Sequence, residues 1–222
     1  MQKVLENRKN KIKDWTMNFV NYYRKLGFLS GYSHISSDYF VRLLMQWNNE
    51  TFNMFKELRL IIDECELFED SFLEEEDQNG KIITPAYELN LLAVLDKSRI
   101  WWNRREIYYE GNNDYVKTFK RLSEISRGAF LPENVVEKES NNSNIIFIDF
   151  KLNGRNYRIH AKKNHYSFSF DLSILRPINY LISNTDFTFR GYAPNDEYGS
   201  VYITAFSEEE RQKIEQERDW FF

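Results

Sequence analysis

The chain has 222 residues, 42% of them hydrophobic and 17% aromatic, with a formal net charge of −4 and an isoelectric point near 5.6. That much apolar material excludes a disordered chain, and the acidic balance provides no general attraction to DNA, RNA or anionic lipid, so nucleic acid is disfavoured as a partner. A single cysteine, Cys65, rules out an intrachain disulfide and, with no apolar signal segment, points to a reducing, cytoplasmic setting; no apolar run approaches the ~20 residues that span a bilayer.

From about Val4 to Leu26, Ile12, Trp15, Phe19, Tyr22, Tyr23 and Leu26 recur at helical spacing and predict one apolar stripe, ended by Gly27. Ser36 or Ser37 is placed to cap a second helix carrying Phe40, Leu43, Leu44 and Trp47. A third helix is expected from Glu50 to about Phe68. From Asp63 to Asp77 the chain is dense in acids and has no Lys or Arg, and it runs into a turn at Asn79-Gly80. Between Glu88 and Trp102 alternating Leu89, Leu91, Ala93 and Leu95 read as extended, giving a short hairpin near 88–104 around Asp96-Lys97. A helix over Leu89–Leu95 fits the same short run.

Asn112 or Asn113 is placed to cap a further helix with Tyr115, Phe119, Leu122 and Ile125 on one face, stopping at Gly128. The polar stretch 137–144 reads as a linker between a mostly helical region, 1–136, and a C-terminal subdomain, 145–222. In that subdomain two strand-like runs flank Asn153-Gly154, the preferred pair for a two-residue hairpin turn. Asp171 precedes a helix over about Leu172–Ile182, strands follow near Phe187–Tyr192 and Ser200–Thr204, and Ser207 with Glu210 forms the capping box of a closing helix. The expected fold class is therefore α+β, a helical N-terminal part followed by a ββαββα subdomain with an antiparallel sheet.

The one catalytic pattern is Asp149-Phe150-Lys151. Side chains two apart on a strand share a face, so a carboxylate and a lysine would meet there, as in a metal-dependent nuclease, with Glu133 or Glu139 as a second carboxylate. Exposed strands carry such charge pairs without any catalysis, and that plainer reading is preferred. His34, His160 and His165 lack metal-site spacing, and Cys65 lies between Glu64 and Glu66, which disfavour a thiolate. There is no glycine-rich phosphate loop, and no cofactor is expected.

Lys151, Arg155, Arg158, Lys162 and Lys163, interleaved with Tyr157 and Tyr166, form a basic cluster that reads as a solvated strand face. The acids Glu69, Asp70, Glu74, Glu75, Glu76 and Asp77, and the loop acids Asp196 and Glu197, are candidates for docking a basic protein.

One stretch evokes a family. The order of Phe150-Lys151-Leu152-Asn153-Gly154-Arg155-Asn156-Tyr157, Asp171-Leu172 opening a helix with Asn179, Phe189-Arg190-Gly191-Tyr192, Asn195-Asp196-Glu197, and Ser207-Glu208-Glu209-Glu210 before Asp219-Trp220-Phe221 resembles small bacterial immunity proteins, cytoplasmic partners that neutralise toxins. The resemblance covers Ile145 to Phe222. It implies a non-enzymatic, protein-binding role in which acidic and aromatic side chains occlude a toxin. The rivals are the nuclease using Asp149 and Lys151, and a phage-encoded or regulatory interaction protein.

Overall fold

A computed structural model of the chain describes residues 2–47, 85–103, 114–139, 145–162, 171–192 and 201–218. It divides into two compact units, Met1–Asp96 and Lys97–Phe222, each taken by itself below. The chain is a mixed α+β protein, helical in its N-terminal part, with two antiparallel three-stranded sheets among the described residues further on.

In the first unit, α1 spans Gln2–Lys25; Phe19 and Tyr23 of the predicted stripe are buried, as are Val20 beside them and Leu26 just past the helix end. Gly27 ends it at φ 75°, a left-handed conformation costly for residues with a Cβ. Two bonds close the turn: Phe28 N–H donates to the Tyr23 carbonyl at 2.9 Å, and Gly27 N–H donates to that of Arg24 at 3.0 Å. The Phe28 ring meets Tyr23 edge-on at 5.7 Å, the hydrophobic contact that accompanies this termination. Ser36 caps α2, Ser37–Trp47, by accepting the Tyr39 N–H at 3.2 Å.

The extended reading of Leu89–Leu95 is corrected, because Pro85–Leu95 is a helix, α3. Its period is hidden because burial surrounds it: Leu89 and every residue from Leu91 to Leu95 are buried, so no polar face marks the repeat. Pro85 suits the first helical turn, where its missing N–H has no partner to lose. Two buried carboxylates on or beside this helix are satisfied, Glu88 by the Tyr23 hydroxyl at 2.9 Å and Asp96 by the Leu29 N–H at 2.6 Å. Burial, with Asp96 nearby, pushes the Tyr32 phenol up to about 12. The expected third helix, Glu50 to Phe68, lies outside the described residues.

In the second unit, β1, Ile100–Asn103, pairs with β6, Val201–Ser207, and β6 pairs with β5, Phe187–Tyr192. There is no hairpin over 88–104, since the partner of β1 lies far down the chain. The second sheet is β2, Glu133–Glu139, then β3, Ile145–Leu152, then β4, Arg155–Lys162. The stretch read as a linker from 137 is therefore strand as far as Glu139, and the division of the chain falls at Asp96–Lys97 instead. The signal was present in Val135-Val136-Glu137-Lys138-Glu139, whose charge masks an ordinary solvent-facing alternation.

The strand and helix order after Ile145 is the predicted one, but it does not make a self-contained sheet. Each hairpin acquires its third strand from upstream residues. Asn153 and Gly154 sit at φ 50° and 79°, as a two-residue hairpin requires, which pairs Leu152 with Arg155.

One apolar core joins the inner faces of both sheets to α4, Asp114–Ile125, and α5, Leu175–Leu181. Phe130 touches both sides of it, with its ring 6.0 Å from that of Phe150 in β3 and 6.0 Å from that of Phe189 in β5. Glu137 of β2 accepts the Tyr115 N–H at 2.9 Å and so serves the start of α4, a role expected of Asn112 or Asn113, which lie outside the described residues. Asp171 accepts N–H bonds from Ser173 and Lys162, both at 2.9 Å. Burial opposes its charge, yet these bonds keep its carboxyl below the usual range. A Cβ at Gly191 would lie 2.9 Å from a Leu172 methyl, so this glycine lets the turn before α5 pack onto β5.

The closing helix α6, Glu208–Arg218, begins with the predicted capping box. Glu210 N–H donates to the Ser207 hydroxyl at 3.2 Å, and Ser207 N–H donates to the Glu210 carboxylate at 2.9 Å. That carboxylate is 9% exposed by residue and also holds Arg127 at 2.8 Å and Arg99 at 3.2 Å.

Candidate functional site

The only catalytic pattern in the sequence falls on β3. Its residues alternate between half-buried and buried, with Ile146, Ile148, Phe150 and Leu152 facing the core and Phe147, Asp149 and Lys151 facing outward. Asp149 and Lys151 therefore do share a face. They line a shallow depression of about 530 Å³ together with Asn134, Asn156, Tyr157 and Arg158.

The Asp149 carboxylate is already occupied. Arg158, directly opposite on β4, grips both of its oxygens, Nε at 2.5 Å and Nη2 at 2.8 Å. Lys138, reaching across from β2, adds a third bond at 2.8 Å. Arg158 first, then Lys138, hold the Asp149 carboxyl well below the usual carboxylate range. A permanently ionised carboxylate with two cation partners is a poor general base at neutral pH. A metal ion would have to displace those partners.

Glu133 pairs in register with Lys151 and is exposed, while the side chain of Glu139 lies outside the described residues. Among the described residues, no group of three His, Cys, Asp or Glu side chains is placed to hold a metal. His34 is exposed on its own loop, and His160 stands edge-on to Phe147 at 5.0 Å on the outer face of β4. Cys65 and His165 lie outside the described residues, as do Lys163 and Tyr166 of the basic cluster.

The remaining basic residues do gather. Arg158 and Lys162 emerge on the outer face of β4, and Arg155 at the hairpin end, all exposed. Arg158 also lies over the Phe147 ring, 5.3 Å from its centroid, while Tyr157 is half-buried with its ring 5.8 Å from that of Phe150. Lys138, which lies in the polar stretch 137–144 that the sequence marks as linker, enters the site only through the pairing of β2 with β3. All the acids proposed for docking, Glu69, Asp70, Glu74, Glu75, Glu76, Asp77, Asp196 and Glu197, lie outside the described residues, so their arrangement is not part of this geometry.

No helix among the described residues is long and apolar enough to cross a membrane. Comparison with known proteins returned no match to any family model, any curated protein or any solved structure.

Proposed function

We propose that the chain works by binding another protein, as a cytoplasmic bacterial immunity protein that neutralises a toxin by covering it. The observation that carries this over the catalytic alternative is the state of Asp149. The carboxylate that a nuclease would need is committed to Arg158 and Lys138, as a structural cross-strand ion pair is. Support for the immunity role itself comes from the resemblance over Ile145 to Phe222.

In this reading Glu69, Asp70, Glu74, Glu75, Glu76 and Asp77, with Asp196 and Glu197, speed encounter with a basic toxin surface, and aromatic side chains anchor the complex. The test is co-purification with the product of the adjacent gene, together with survival of cells that express both. Binding with protection is the expected result, and loss of both overturns the proposal.

The nuclease reading retains one observation, that Asp149 and Lys151 line the same open depression. It requires Mg²⁺-dependent cleavage of DNA or RNA that disappears in Asp149→Ala. The immunity reading expects no such activity in either protein.

A further inference from the structure

A strand at the edge of a sheet exposes backbone donors and acceptors that can pair with another chain. In a two-residue hairpin the residues flanking the turn, here Leu152 and Arg155, exchange backbone bonds, and that pairing recurs at every second residue. Arg155, Tyr157, Ile159 and Ala161 therefore point their N–H and C=O groups at β3. Asn156, Arg158, His160 and Lys162 point theirs outward, and the Lys162 N–H shows this directly by donating to Asp171.

Asn156, Arg158 and His160 are exposed, and among the described residues their outward backbone groups have no hydrogen-bond partner. The same molecule closes a different edge with care. On β5 the Asn179 side chain accepts the Phe189 N–H at 2.8 Å and donates to the Phe189 carbonyl at 2.9 Å, taking the place of a neighbouring strand. On β4 Asp171 closes only the Lys162 end, and among the described residues no side chain plugs the edge at Asn156, Arg158 or His160.

Side chains select what could pair there. Arg158 spends Nε and Nη2 on Asp149 and leaves Nη1 for a partner, and Lys162 is exposed four residues along on the same face. Two copies of this chain pairing antiparallel about Arg158 would set that arginine against its counterpart, so the charge opposes a self-paired edge. The complementary strand carries carboxylates. We propose that the β4 edge docks an extended segment of a partner protein with acidic side chains at alternate positions, which joins the sheet beside Asn156, Arg158 and His160. This inference rests on backbone geometry and charge, and it is independent of the immunity reading.

The probe is a synthetic peptide alternating Glu and Val, compared with its Lys-for-Glu counterpart, titrated into the isotope-labelled full chain and followed by amide NMR. The Glu peptide should shift the amides of Asn156, Arg158 and His160 and slow their exchange at least tenfold. The Lys peptide should bind at least tenfold more weakly. His160→Pro removes an outward N–H without touching the β3 ladder and should abolish binding, as Pro is tolerated at such edge positions. Lys162→Glu is a second variant on an exposed side chain and should weaken binding several-fold with the fold intact. Equal binding of both peptides, shifts mapping elsewhere, no binding by the Glu peptide, or concentration-dependent protection of these amides in the protein alone would each overturn the proposal.

Discussion

The two sheets of the second unit use their central strands differently. In β6 every residue from Val201 to Phe206 is buried, so both faces are covered, whereas β3 alternates and shows one face to water. A strand with two covered faces is close to a continuous apolar run, broken here only by the buried Thr204, and keeps no surface for a partner. A strand with one covered face may carry charge on the other, and its sheet is where recognition chemistry has room. Asp149, Lys151, Arg158 and His160 all sit on that second kind of sheet.

Neighbouring residues test this contrast most strongly. Ile203 and Tyr202 point to opposite faces of β6, and Ile203→Ala and Tyr202→Ala should each destabilise by roughly 2–5 kcal/mol in denaturant unfolding. On β3 only one of an equivalent pair should matter: Phe150→Ala by about 3–5 kcal/mol, and Lys151→Ala within ~0.5 kcal/mol. Similar losses at Phe150 and Lys151 would break the comparison.

Glu210→Ala should cost about 3–5 kcal/mol, because it leaves the buried Arg99 without its carboxylate and removes half of the capping box. A thermal shift no larger than that of Glu208→Ala, on the exposed face of the same helix, would count against this. Asn179→Ala should cost roughly 1–3 kcal/mol by stranding the Phe189 N–H and carbonyl, and faster exchange of the Phe189 amide would report it.

Asp149→Asn should cost only about 0.2–1 kcal/mol, as expected of a partly exposed cross-strand pair. Its sign follows from the lowered carboxyl. The stabilisation is complete above the unfolded-state value near ~4 and disappears as pH falls through the depressed value. Parent and variant should therefore differ at pH 7 and converge in strong acid, as unfolding curves across that range would show.

Much of this architecture could be read from local chemistry. Gly27, Asn153-Gly154, Asp171 and the Ser207/Glu210 box each declare a boundary through backbone geometry that few other residues satisfy. Which strands share a sheet could not be read, because Ile100–Asn103 finds its partner about a hundred residues later, and pairing at that range leaves no local trace. The run Leu89–Leu95 is ambiguous because burial of Leu89 and of Leu91 through Leu95 removes the polar face that would mark a period. At the site, alternation correctly set Asp149 beside Lys151, but Arg158 and Lys138 as its partners depend on cross-strand register, which a single strand does not encode.

The pairing of β1 with β6 also dictates an order of events during synthesis. At ~5–20 residues per second, the stretch between them takes on the order of 5–20 s to emerge. Throughout that interval the Trp101-Trp102 strand has been made and its partner has not. The hairpin β3–β4 pairs across two residues and can close as soon as it appears. Nascent-chain force measurements should accordingly record tension from the hairpin well before any from the sheet containing Ile203. The long wait makes Ile100–Asn103 the segment of this unit that a chaperone has the most time to hold.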